Sequence, residues 1–316
     1  MNSIGIDLGG TNIAAGVVDT SGNILIKQSI PTLAARSCEE ILSDIASLCE
    51  SLVRQSGETL ADIRLIGLAV PGGVDSANGK ILFTPNIPFS GLNVCEMLSG
   101  MLGGVSVKLI NDANAAALAE ARAGAAKDAE SAVMITLGTG IGGGVILHGD
   151  IYTGFNGLAG ELGHMVIEKD GEPCGCGRKG CFEVYGAATA LTRMTREEIE
   201  RCENRGESTA MYGGKVNGRT AFDAFRKGDA AAARVIEKYT DYLSCGIISL
   251  INIFQPEIFI IGGGISGEGQ LLLDLLEPKI RKEEYAKNPA KRTQLRIASC
   301  KNDAGIIGAA MLEAKL

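Results

Sequence analysis

The sequence predicts an α/β protein built from two copies of a hairpin-first unit, with a cleft between the copies. Two apolar strands run into glycine turns in the same way, at Leu8-Gly9 and Leu137-Gly138, 129 residues apart. Strands and helices alternate after each turn, the mark of an α/β architecture. Glycine makes up 43 of 316 residues, about twice its ordinary share. The glycines lie beside apolar runs, so they predict tight turns that bring backbone close to a ligand.

Along the chain, "SIGIDLGGTNIAAGVVDTSGNILIKQSIP" (3–31) reads as three short strands, with turns at Gly9-Gly10 and Ser21-Gly22. Residues 38–57 carry Ile41, Ile45, Leu48 and Leu52 at helical spacing. "IRLIGLAVPGG" (63–73) is a buried strand closed by a Pro-Gly-Gly turn, and a loop-rich stretch with "FTPNIPFSGLN" follows. "VSVKLIND" (105–112) is a strand, and the alanine-rich run after it is a helix. The pattern restarts as strand, glycine turn and strand over 131–152. Residues 193–228 read as variable charged helix, and a further helix spans 229–254. "EIFIIGGGIS" (257–266) is a third strand-to-glycine turn, and "GIIGAAMLEAKL" is a terminal helix. The boundary between lobes falls at residue 111: a first lobe of 1–111, joined by the terminal helix 303–316, and a larger lobe of 112–302.

Hydrophobic residues at 46% and charged residues at 21% fit a soluble globular chain. A net charge of −7, with no basic run, argues against nucleic acid as a partner. "MNSIGIDLGG" has no basic start and carries Asp7, so it is no signal peptide. The apolar run 243–254 is too short and interrupted to span a bilayer. The expected location is cytoplasmic, where cysteines are reduced thiols or metal ligands.

"GTGIGG" (138–143) has the spacing of a dinucleotide fingerprint, but a strand follows it where that fingerprint needs a helix. No P-loop motif occurs in the chain. The tips are still suited to phosphate, because backbone N–H groups in such turns form an anion-binding concavity. The candidate nucleotide residues are Asp7, Gly9, Gly10, Thr11 and Asn12 at the first tip. Gly138, Thr139 and Gly140 form the second tip, and Gly262 and Gly263 the third. Asp7 is placed to hold Mg²⁺ through water. Asp112 stands between a strand and a helix, where a carboxylate can cap the helix or accept a substrate proton.

The motifs "GIDLGGTNIAAGVVD", "NDANAAALAE", "LGTGIGGGVI", "GLAGELGHM" and "CGCGRKGCFE" together resemble the ROK family of repressors and sugar kinases. The likeness runs across nearly the whole chain. It implies a duplicated ribonuclease H-like (actin-like ATPase) fold with ATP in the cleft. It makes Asp112 the general base and Asn86, Asn111, Glu161, His164 and Glu183 the sugar contacts. Family repressors carry an N-terminal helix-turn-helix module. "IGIDLGG" begins at residue 4, so a kinase is expected rather than a repressor. The resemblance also implies a homodimer or homotetramer.

Cys174, Cys176 and Cys181 with His164 have the composition of a structural, four-ligand Zn²⁺ site. Such a site leaves no open position for catalysis, so the metal is expected to clamp the loop and set Glu161 and Glu183. Cys38, Cys49, Cys95, Cys202, Cys245 and Cys300 are expected in the core. The expected activity is ATP-dependent phosphorylation of a hexose, glucose first. N-acetylmannosamine, fructose or allose are the alternative sugars, and a non-catalytic sugar sensor is the alternative class.

Overall fold

A computed structural model describes residues 1–287 and 289–313. The chain forms two compact units. One contains Met1–Ala132, Gly144–Gly160 and the segment from Ser299 onward, and the other contains Val133–Gly143 and Glu161–Ala298.

The first sheet is built from β1 (Ser3–Leu8), β2 (Asn12–Val18), β3 (Ile24–Pro31), β4 (Ile66–Val70) and β7 (Val107–Asn111). Its order is β3-β2-β1-β4-β7. The first three strands form antiparallel hairpins, while β1, β4 and β7 run parallel. Helix α1 (Cys38–Ser56) crosses over between β3 and β4, and α2 (Val94–Met101) precedes β7. The second sheet uses β8 (Ala132–Leu137), β9 (Ile141–Leu147), β10 (Asp150–Ile151), β11 (Ile258–Gly262) and β12 (Gln294–Ile297). Its order, β10-β9-β8-β11-β12, repeats the first: third, second, first, fourth and fifth strand. The recurring glycine turn is therefore one corner of a duplicated topology.

Helix α1 starts where Ser37 and Glu40 form a reciprocal capping box and ends at Gly57 in the left-handed region. Its apolar face, Ile41, Ile45, Leu48 and Leu52, is fully buried with Ile4, Ile6 and Leu8 of β1. α3 (Asp112–Ala123) follows β7 without a loop, and α9 (Ala304–Ala310) packs on α3, β1 and β4. That packing is backbone on backbone. A Cβ at Gly5 would lie 1.8 Å from the Ile306 carbonyl oxygen, one at Gly67 1.9 Å from that of Ala309, and one at Gly308 1.8 Å from that of Ala115. These three glycines serve helix packing and lie outside the turns that the glycine content predicts.

Other elements also depart from the sequence reading. The loop-rich stretch holds a hairpin, β5 (Gly73–Asp75) with β6 (Lys80–Phe83), as well as α2. Residues 193–228 are not one helix: after the one-turn α4 (Glu183–Gly186), α5 (Ala188–Arg205) stops at Gly206 in the left-handed region. Irregular chain then leads to the short α6 (Thr220–Phe225). α7 (Ala230–Phe254) is capped by Asp229, and α8 (Gln270–Glu283) precedes β12. The terminal helix reaches Ala310, and residues 314–316 of its expected span lie outside the described residues. Cys245 is exposed rather than buried. Among the described residues, no helix is long and apolar enough to cross a membrane.

Candidate active site and metal centre

In the first unit, parallel pairing aligns the C-terminal ends of β1, β4 and β7, the edge where open α/β sheets bind ligands. Asp7 pairs with Ala69, which pairs with Ile110, so Asp7 and the Asn111-Asp112 corner share that edge. Asp7 sits against Gly305 of the C-terminal segment, where a Cβ would lie 2.6 Å from the carboxyl carbon. Burial, and then the charge of Asp112, raise its pKa to about 6. A carboxylate at this edge offers the oxygen ligands that a divalent cation prefers.

Asn111, not Asp112, caps α3: its side-chain oxygen accepts the Asn114 N–H at 3.1 Å. Its amide also donates to the Gly72 carbonyl at 3.0 Å. Asp112 occupies the first helical position, with its carboxylate exposed. Its own Oδ1 accepts the Ala113 N–H at 2.9 Å, which leaves an exposed carboxylate at a positive helix end. Asn86 is exposed and packs against Gly10, where a Cβ would lie 3.3 Å from its own Cβ. The turn Gly9–Asn12 closes by Gly9 N–H donating to the Asn12 carbonyl at 3.0 Å. Thr32, fully buried, pins the same turn: its hydroxyl donates to the Gly9 carbonyl and its N–H to that of Thr11.

The second unit treats its own turn alike. Gly138 N–H donates to the Gly140 carbonyl at 3.0 Å. Ala188 N–H donates to the Gly138 carbonyl at 2.9 Å, and the Thr189 hydroxyl to that of Thr139 at 2.8 Å. In each unit the turn carbonyls are tied back by a neighbouring segment that includes a threonine. Gly263, at φ 80°, lies on the end of β8: its Cβ would be 2.5 Å from the Leu137 nitrogen. Gly262 packs on Met134. The third glycine turn is thus packed beside the second.

The segment 161–186 surrounds the cysteines. Glu161, its side chain exposed, offers its carbonyl to His164 N–H at the short 3-10 turn Leu162–His164. His164 Nδ1 lies 3.7 Å from Cys174 Sγ, so this ring nitrogen faces the cysteine set. Cys176 and Cys181 sulfurs are 3.6 Å apart, far beyond a disulfide, and the four candidate ligand atoms lie within 4.8 Å of one another. A tetrahedron with Zn–S bonds of about 2.3 Å has edges of about 3.8 Å, so the donor set fits zinc. A tight turn, Gly177 N–H to the Cys174 carbonyl, and bridges at Val166–Cys181 and Pro173–Lys179 hold the loop. Burial raises the Cys174 thiol to about 12, and the Arg178 backbone N–H lowers Cys176.

Glu183 begins the short helix after Cys181. One carboxylate oxygen accepts the Ile141 N–H at 3.0 Å, and the other faces Cys174 Sγ at 3.7 Å. The expected residues therefore fall into two groups. Asp7, Gly9–Asn12, Asn86, Asn111 and Asp112 belong to the first unit. Gly138–Gly140, Glu161, His164, the three cysteines, Glu183, Gly262 and Gly263 belong to the second. Thr32, Ala188 and Thr189, which hold the turns, carry no local sequence signal.

A ROK glucokinase from Streptomyces griseus, solved with glucose and AMPPNP, superposes with a TM-score of 0.80 at 33% identity, covering 99% of each chain. The ROK hexokinase of Thermus thermophilus gives a TM-score of 0.82 at 35% identity, covering 99% of this chain and 97% of that one. The duplicated sheets and these likenesses define the class as the actin-like ATPase fold. The Thermotoga maritima glucokinase is 38% identical over 98% of this chain and 96% of its own length. The ROK family model matches residues 3–315, and the chain belongs to the ROK family.

Proposed function

We propose that the protein is an ATP-dependent hexose kinase that phosphorylates glucose on its 6-hydroxyl. The observation that carries this reading is Asp112. It is an exposed carboxylate at the first position of α3, close enough to Asp7 to raise its pKa, in a chain 38% identical to a glucokinase.

A sugar hydroxyl is a poor nucleophile, so a carboxylate must take its proton as the γ-phosphoryl group leaves. Asp112 fills that role. The N–H groups of Gly9–Asn12 and Gly138–Gly140 receive phosphate oxygens, and Gly262 and Gly263 approach the nucleoside. Asp7 would hold Mg²⁺ through water, and the bound ion offsets phosphate charge. Asn86, Asn111, Glu161, His164 and Glu183 supply fixed donors and acceptors for a polyol. His164, Cys174, Cys176 and Cys181 would hold zinc, which would fix the loop and take no part in the chemistry. We read the enzyme as a cytoplasmic homodimer or homotetramer with no nucleic-acid partner.

An ADP-release assay across glucose, mannose, fructose, allose and N-acetylmannosamine tests this function. The highest kcat/KM is expected on glucose. A higher value on another sugar would reassign the substrate, and sugar binding without turnover on any of them would make the protein a sensor.

A further inference from the structure

We propose that Glu183 is a positioning residue of the second glycine turn, whatever contact it also makes with sugar. The proposal rests on the kinase reading only in taking that turn to bind phosphate. Its basis is where the carboxylate sits. One oxygen accepts the backbone N–H of Ile141, the residue directly after the turn, at 3.0 Å. A Cβ at Gly140 would lie 2.2 Å from that same oxygen. The carboxylate thus occupies the space that a side chain at Gly140 would take.

The turn is held by a single short stretch. Glu183 takes the Ile141 N–H, Ala188 N–H takes the Gly138 carbonyl, and the Thr189 hydroxyl takes the Thr139 carbonyl. Two of these three contacts use side chains, and Glu183 is the carboxylate of the pair; hydrogen bonds to a charged acceptor are the stronger kind. Its other oxygen faces Cys174 of the candidate metal set at 3.7 Å. The segment that follows the last thiol therefore fixes the turn's shape before any ligand arrives. Removing the carboxylate leaves the Ile141 N–H without its acceptor and a gap beside Gly140. A loosened turn must then be ordered by the nucleotide, and that cost appears as lost affinity.

Binding of AMPPNP without sugar, measured by calorimetry, separates this role from a sugar contact. Glu183→Ala should weaken AMPPNP about tenfold, the usual scale for an orphaned hydrogen-bonding partner. Glu183→Gln keeps a carbonyl oxygen within reach of Ile141 and should stay within about threefold of wild type. Glu183→Asp keeps the charge but is one methylene too short, so it should lose affinity as the alanine does. This variant carries the test if the alanine protein does not fold. The peptide over 138–141 should exchange its amides faster in Glu183→Ala and Glu183→Asp than in Glu183→Gln. Unchanged AMPPNP affinity in Glu183→Ala and Glu183→Asp, with glucose affinity alone reduced, would overturn the proposal. So would loss in Glu183→Gln equal to the others. Wild-type protein that binds no AMPPNP would instead sink the kinase reading itself.

Discussion

Asp7 is expected to destabilise the fold that needs it. Its pKa rises from 3.8 to about 6, chiefly by burial and then by the charge of Asp112. The folded chain holds this proton more tightly than the unfolded chain. The favourable contribution is full below about pH 4 and is lost as pH rises through 6. A rise of that size, at about 1.36 kcal/mol for each pH unit, costs about 3 kcal/mol once Asp7 is ionised. Asp7→Asn imitates the protonated acid. In urea titrations without Mg²⁺ or nucleotide, the variant should be more stable than wild type at pH 8, by up to about 3 kcal/mol. At pH 4 the two should coincide. Mg²⁺ with AMPPNP should narrow the gap at pH 8 by stabilising wild type alone. A variant less stable than wild type at pH 8, or a gap that persists at pH 4, would overturn this view of Asp7.

Asp112→Asn should lower kcat by roughly 10²–10⁴-fold in steady-state assays and leave AMPPNP affinity near wild type. The same substitution removes the neighbouring charge, so the apparent pKa of Asp7, read by NMR, should fall. Gly67→Ala places a Cβ 1.9 Å from the Ala309 carbonyl oxygen and must push α9 off the sheet. It should cost about 3 kcal/mol or more, seen as a lower melting temperature. Cys176→Ser should reduce bound zinc below one equivalent by elemental analysis and weaken glucose more than AMPPNP. Equal loss of both ligands would make the metal an element of global folding. Zinc should also leave as pH falls, because thiolate ligands must then take up protons.

Local signals in the sequence carried most of the candidate site. Asp7, the glycine turns, Asn111-Asp112 and the C-x-C-x₄-C set each sit in a short stretch whose geometry the neighbours dictate. The metal cluster was legible because three ligands lie within eight residues of one another and the fourth lies on the same segment. What stayed hidden joins distant residues. The Glu183–Ile141 bond spans 42 positions. The Thr32 and Thr189 pins depend on pairings that no window of sequence contains. Gly5 and Gly67 look like any glycine beside an apolar strand, and only the return of α9 explains them.

Other elements do carry a local signal. Asn78-Gly79 is a strong hairpin signal between β5 and β6. Leu272, Leu276 and Ile280, fully buried, mark α8 at helical spacing, with Pro278 obscuring it. β12 is short, and its partly exposed residues give only a weak alternation. Asp112 looked like a cap because it stands at the strand-to-helix corner. The structure gives the cap to Asn111 one residue earlier, and the base candidate is left exposed.

On the kinase reading, Asp112 drives phosphoryl transfer from ATP to a hexose hydroxyl. Phosphorus and carbon NMR of a reaction with ATP, Mg²⁺ and ¹³C-glucose puts that role to a direct test. Wild type should give glucose 6-phosphate in step with ADP, and the initial rate of Asp112→Asn should be at most about 1% of that. ADP formed without any sugar phosphate, or equal product from both proteins, would contradict it.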